Sequence, residues 1–175
     1  VISLDDLKRA IREVPNFPKP GIGFKDVTPV LLDAGLFGRA VELMAAPYTG
    51  AGISKVVSIE SRGFIFGAPI ALQLRAGLVP IRKPGKLPAV AHRVDYALEY
   101  GTDALEMHHD AVGPADRVLV VDDVLATGGT ATAAADLVGK AGGAVVGFSF
   151  FIELDFLNGR QRLPGRRVEA LLHYT

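Results

Sequence analysis

Residues 118–130 read VLVVDDVLATGGT, and no other stretch restricts the fold as tightly. Val118–Val121 is apolar and mostly β-branched, the composition of a strand buried on both faces, and it runs into two adjacent carboxylates, Asp122 and Asp123. Small polar residues follow, Ala126-Thr127-Gly128-Gly129-Thr130, and then an Ala-rich stretch to Ala141 with strong helix propensity. The pattern is strand, small-residue loop, helix start. Adjacent glycines let backbone N–H groups converge on one point, the helix N-terminus adds partial positive charge, and threonine hydroxyls add donors, so the loop suits a phosphate dianion. Two acids beside that loop would repel a bare phosphate. They are better matched to sugar hydroxyls, or to water on a divalent cation, and a ribose 5-phosphate meets both demands.

Four apolar residues before an acid also occur in P-loop NTPases, but no G-x-x-x-x-G-K-[ST] string exists here, which excludes that class. Lys plus Arg and Asp plus Glu number 19 each, so the chain has no overall cationic field for nucleic acid or anionic membranes. There are no cysteines, hence neither disulfides nor thiolate metal sites. No apolar stretch reaches membrane-spanning length and no signal peptide is visible, so a cytoplasmic protein is expected. Because the chain opens on Val1, a few residues are expected to precede it.

With 175 residues, one domain over 1–175 is expected. Leu4, Leu7, Ile11 and Val14 recur at helical spacing behind Ser3, a good N-cap, and Pro15 closes that first helix. Residues 15–29 hold four prolines and two glycines, which predicts a shaped loop. Leu36–Tyr48 reads as helix. Beyond it the reading alternates: strand Lys55–Ile59, helix Phe64–Ala76, strand Leu78–Arg82, strand Arg117–Val121, helix Gly129–Ala141, strand Ala144–Ile152 and strand Arg167–His173. Such alternation predicts an α/β fold, a mainly parallel doubly wound sheet with flanking helices. Three strand ends carry polar chemistry, Glu60-Ser61-Arg62-Gly63, Arg82-Lys83 and Asp122-Asp123, and should meet at the carboxyl edge of the sheet.

The string Asp122-Asp123 followed by Ala126–Thr130 resembles the phosphoribosyl-pyrophosphate (PRPP) signature of type I phosphoribosyltransferases. FPKPGIGFKD from Phe17 to Asp26, Glu60-Ser61-Arg62-Gly63-Phe64 and Leu98-Glu99-Tyr100-Gly101 resemble, in order, the adenine-using branch of that family. The resemblance implies purine salvage, in which adenine and PRPP give AMP and pyrophosphate with Mg²⁺ held through PRPP and water near Asp122 and Asp123. Other purines (hypoxanthine, guanine, xanthine) and a non-catalytic PRPP-sensing regulator are the alternatives. It also implies a homodimer, a small N-terminal hood comprising the helix and base-binding loop of 1–35, and a hairpin lid over 83–104.

By the same resemblance, Ala126, Thr127, Gly128, Gly129 and Thr130 hold the 5-phosphate, and Asp122 and Asp123 face the ribose. Ser61, Arg62, Arg82, Lys83 and Lys86 serve pyrophosphate. Ile22, Gly23, Phe24, Arg62 and Leu154 surround adenine, with Phe24 and Leu154 as the stacking pair and backbone groups near Ile22 and Gly23 reading the purine edge. Glu99 assists proton transfer at the purine and Tyr100 covers the sugar. A long Pro-, Gly- and aromatic-rich segment between strands suits a mobile lid that excludes water from a reactive sugar centre. His108-His109 reads as solvated surface rather than a metal site, since adjacent residues on a strand or helix point apart.

Overall fold

The computed structural model describes residues 1–98 and 101–175, and the chain divides into two units, Val1–Leu43 and Met44–Thr175. Within the first, helix α1 (Leu4–Ala10) starts at Ser3, whose hydroxyl accepts from the Asp6 N–H while the Asp6 carboxylate accepts from the Ser3 N–H. The helix expected to reach Val14 ends at Ala10. Arg12–Val14 is instead strand β1, paired antiparallel with β2 (Phe24–Asp26), so part of the expected 15–29 loop is also regular. Paired backbone bonds outweigh the weak helical preference of so short a segment. Helix α2 (Thr28–Leu32) follows, with Pro29 in its first turn, and α3 (Ala34–Ala45) contains the boundary between the units.

The larger unit is built on a five-stranded parallel sheet in the order β4-β3-β7-β8-β9, where β3 is Lys55–Ile59, β4 Gly77–Ile81, β7 Arg117–Leu125, β8 Ala144–Leu154 and β9 Val168–Tyr174. Strand residues alternate between two covered faces. On one face Phe66 of α4 (Arg62–Leu74) stacks on Phe151 at 5.1 Å. On the other, Val57, Val118, Val120, Phe148 and Phe150 join the alanines of α5 (Gly129–Lys140) in one buried cluster. Tyr48, in the 3₁₀ turn after α3, donates to the Phe148 carbonyl at 2.7 Å. The expected mainly parallel sheet with helices on both sides is what the chain forms.

Because β3 leads through α4 to β4 on one side, and β7 leads through α5 to β8 on the other, the strand order reverses between β3 and β7. Crevices at such reversals are where α/β sheets bind ligands. Strand β7 also runs further than expected: it continues past Val121 to Leu125. Its pairing with β3 ends at Ser58↔Val121, whereas β8 stays alongside as far as Leu125↔Glu153. Asp122 and Asp123 are therefore strand residues, open on the β3 side.

Strands β5 (Ala91–Ala97) and β6 (Thr102–His108) form an antiparallel hairpin, joined to the Ile81 end of β4 by a bridge between Arg82 and Glu106. Leu105 and Met107 are completely buried in the α5-side core, and Lys140 of α5 donates to the Arg93 carbonyl at 2.8 Å. Leu105 and Met107 lie just beyond the 83–104 segment expected as a lid and anchor the end of its return strand in the core. Among the described residues no helix is long and apolar enough to cross a membrane.

Candidate active site

At the strand reversal the two acids are unequal. Asp123 is buried at 5% exposure, and the Nε of Arg62, the first residue of α4, lies 2.5 Å from its Oδ2. Among the described residues Asp122 has no such counter-ion in direct contact, and its Oδ1 accepts from the Asp123 N–H at 2.9 Å. Burial, then the adjacent Asp123 charge, pushes the Asp122 carboxyl well above the usual carboxylate range. Gly63 makes this approach possible: a Cβ there would sit 2.8 Å from Asp122 Oδ1. The Glu60-Ser61-Arg62-Gly63 turn and the acidic pair thus meet, as the strand-end reading requires.

Beside them, Ala126, Thr127, Gly128 and Thr130, together with Asp122 and Phe150, line a narrow pocket. Gly128 caps α5 in the left-handed region, with φ of +85°, and the Thr132 hydroxyl donates to its carbonyl at 2.8 Å. Gly129 is placed differently from its loop neighbours. It faces away from that pocket, where a Cβ would lie 3.2 Å from Arg162 Nη1 and 3.6 Å from Tyr96.

The cations gather near Glu60. Its Oε2 pairs with Lys86 Nζ at 2.8 Å, its Oε1 accepts the Lys83 N–H, and Arg82 Nε lies 3.6 Å away. Burial pushes the Glu60 carboxyl upward, but the hydrogen bonds from Lys86 and the Lys83 backbone, with the Lys86 and Arg82 charges, more than offset it and hold it below the ordinary range. The Lys83 side chain turns away from this group toward Asp103 and the Tyr96 hydroxyl. The five residues expected to serve pyrophosphate gather around Glu60 and the turn that follows it, with different side-chain partners. Ser61 and Arg62 open α4, Arg82 and Lys86 flank Glu60, and Lys83 is engaged by the hairpin.

Ile22, Gly23 and Phe24 lead into β2 of the N-terminal unit, where Ile22 is exposed and Phe24 meets Phe17 edge-on at 5.1 Å. Leu154 ends β8 in the larger unit. Glu99 and Tyr100 lie outside the described residues. His108 and His109 are structural: His108 Nε2 accepts from the Ala89 N–H at 3.3 Å, and His109 Nδ1 lies 3.1 Å from the Val90 carbonyl.

Glu60 and the segment after β8 escaped the sequence reading. Glu60 stood inside a quoted motif yet received no role, although an acid followed by a cation-rich strand end was signal enough. A cation at the acidic pair would find hard oxygen donors, which suit Mg²⁺, but Asp123 is already matched by Arg62. The pair therefore fits a cation approached through water and substrate oxygens better than a direct chelate. Among the described residues Glu153, Asp155 and His173 are a second group that could hold a metal, with ligand atoms within 4.8 Å of one another.

A parallel α/β sheet whose reversal carries an acidic pair, a glycine-capped helix start and a cation-bearing turn defines a sugar-phosphate-handling protein. Residues 36–164 match the model of the phosphoribosyl transferase domain. The chain is 59% identical over 169 residues to an adenine phosphoribosyltransferase of Myxococcus xanthus, covering 97% of this chain and 92% of that one. Its fold matches the crystal structure of adenine phosphoribosyltransferase from Thermoanaerobacter pseudethanolicus with a TM-score of 0.96, at 50% identity and covering 98% and 100% of the two chains. It also matches the Saccharomyces cerevisiae adenine phosphoribosyltransferase complexed with adenine and an imino-altritol bisphosphate, with a TM-score of 0.92 at 40% identity and covering 97% and 98%. The chain belongs to the type I phosphoribosyltransferases, and within them to the adenine phosphoribosyltransferase family.

Proposed function

We propose that the protein transfers the phosphoribosyl group of PRPP to adenine, giving AMP and pyrophosphate in purine salvage, and that it works as a cytoplasmic homodimer. The carrying observation is the acidic pair beside the Ala126–Thr130 loop at the reversal of strand order. The loop backbone and the Thr127 and Thr130 hydroxyls take the 5-phosphate, each hydrogen bond to a charged oxygen contributing about 1.5–3 kcal/mol. Asp122 accepts from the ribose hydroxyls, and Asp123 orients Arg62 toward the anomeric end of the sugar. The bond from the anomeric carbon to pyrophosphate breaks ahead of the bond to the purine nitrogen, leaving positive charge on the sugar. Asp122 and Asp123 lie where that charge develops. Mg²⁺, approached by Asp122 and Asp123 through water and substrate oxygens, would supply charge neutralisation for the leaving group.

Ser61, Arg62 and Arg82 receive the pyrophosphate. Lys83 and Lys86 join only by exchanging Asp103 and Glu60 for phosphate oxygens. Phe24 and Leu154 stack on adenine, the backbone near Ile22 and Gly23 reads its exocyclic amine, Glu99 assists the purine proton, and Tyr100 covers the sugar. The 50–59% identity to adenine phosphoribosyltransferases over nearly the whole chain favours adenine among the purines.

The test is pyrophosphate release from PRPP with Mg²⁺ and, in turn, adenine, hypoxanthine, guanine and xanthine. Turnover with adenine and little with the 6-oxo purines is expected. Turnover with hypoxanthine and none with adenine would overturn the choice of base, and PRPP binding without base-dependent release would make the protein a sensor.

A further inference from the structure

We propose that Glu153 and Arg160 are positioning residues that set the geometry of the 5-phosphate loop from behind. This assignment rests on the phosphoribosyl reading above. After β8 the chain makes two 3₁₀ turns, Asp155–Leu157 and Gly159–Arg162. The second lies directly on the loop: a Cβ on Gly128 would meet the Gly159 carbonyl oxygen at 2.5 Å, and a Cβ on Gly159 would run into the Ala126 carbonyl and lie 3.0 Å from the Gly128 nitrogen. Two backbones are therefore in contact with no side chain between them. Any displacement of residue 159 passes undamped to Ala126 and Gly128. The Thr132 hydroxyl, which holds the Gly128 carbonyl, also lies 3.4 Å from the Arg162 carbonyl, tying the first turn of α5 to the same segment.

Two side-chain contacts tie this segment to the sheet: His173 Nδ1 of β9 lies 2.9 Å from Asp155 Oδ1 in the first turn, and Arg160 holds the second turn. Arg160 Nε donates to Glu153 Oε1 at 3.0 Å and Nη2 to Oε2 at 2.5 Å, while Nη1 donates to the Val168 carbonyl at 2.7 Å. One guanidinium thus joins the end of β8, the turn and the start of β9 in a planar fork that lysine cannot reproduce. Glu153 is only 4% exposed, and its carboxylate is held chiefly by that fork, with His173 Nδ1 a further 3.8 Å from Oε2. Neither residue lines the pocket formed by the loop. A phosphate held by converging N–H groups is sensitive to a few tenths of an ångström in their aim, and this sensitivity makes a distant clamp matter for affinity.

The experiment measures equilibrium binding of ribose 5-phosphate and of inorganic pyrophosphate, together with steady-state kinetics, for the full-length protein and for Glu153→Gln, Arg160→Lys and Gly159→Ala. Ribose 5-phosphate affinity should fall about tenfold in Glu153→Gln and Gly159→Ala, the loss of roughly one good hydrogen bond to a charged oxygen, and by less in Arg160→Lys. The KM for PRPP should rise in parallel, while pyrophosphate affinity and the KM for adenine stay within about twofold. Leu105→Ala, destabilised in the hairpin stem with the Glu153–Arg160 pair left intact, should keep its ribose 5-phosphate affinity and so separates aim from stability. Unchanged ribose 5-phosphate affinity in all three variants, or equal losses for ribose 5-phosphate and pyrophosphate, would overturn the assignment. Failure of the unaltered protein to bind ribose 5-phosphate would instead sink the reading on which it rests.

Discussion

Arg62 Nε stands 2.5 Å from the buried Asp123 Oδ2, joining the first residue of α4 to the acidic pair of β7. The contact compensates one of two adjacent carboxylates and leaves the other, Asp122, to carry the cost of burial beside a like charge. Arg62→Met should therefore damage both stability and catalysis. We expect a loss of about 1–3 kcal/mol, toward the lower end because the guanidinium is nearly half exposed, and a fall in kcat/KM of roughly 10²-fold. Chemical denaturation and steady-state kinetics on the same preparation check both.

Asp122 predicts a distinctive pH dependence. Its folded-state pKa is raised above the unfolded value, so its favourable contribution is complete below the unfolded pKa and is lost as pH rises through the folded one. At any pH above the unfolded-state pKa, neutral pH included, the group thus opposes folding. Asp122→Asn should raise the melting temperature of the ligand-free protein at neutral pH, at about 2–4 °C per kcal/mol gained, and the gain should shrink on acidification. The same change should lower turnover, because the sugar loses its anionic acceptor. Calorimetry across pH, paired with activity, shows whether stability and function move in opposite directions.

Gly128→Ala should be severe for two independent reasons. The residue sits at φ of +85°, and its new Cβ would meet the Gly159 carbonyl oxygen at 2.5 Å. We expect a loss of about 1–3 kcal/mol and at least a tenfold higher KM for PRPP, measured by thermal denaturation and PRPP titration.

These residues show what a sequence can disclose. The loop from Asp122 to Thr130 was legible because its chemistry is contiguous: acids, glycines and a helix start follow one another within nine positions. The end of β7 was not, since an apolar run marks burial, whereas the strand lasts as long as β8 offers backbone partners, here to Leu125. Arg12–Val14 failed similarly, becoming a strand through pairing with Phe24–Asp26 rather than by local preference. The Glu153–Arg160 clamp spans a strand end and two turns, a separation at which no periodicity links an acid to a base.

The hairpin over 83–104 was legible from its alternating residues, but not how firmly its end is held: Leu105 and Met107, just past it, belong to the core. Leu105→Ala should cost about 2–5 kcal/mol, and amide exchange in the β5–β6 stem should be slow, in the range of the central strands. Thermal denaturation and hydrogen exchange test these two outcomes, and rapid exchange through the stem would show a lid that moves as a whole rather than one whose tip alone opens.

The most direct measurement is a crystal structure of the protein soaked with AMP. The account predicts the phosphate within hydrogen-bond distance of the Ala126–Thr130 backbone, with the ribose hydroxyls against Asp122 and Asp123. AMP bound elsewhere, with the glycine loop empty and nothing against the acidic pair, would contradict it.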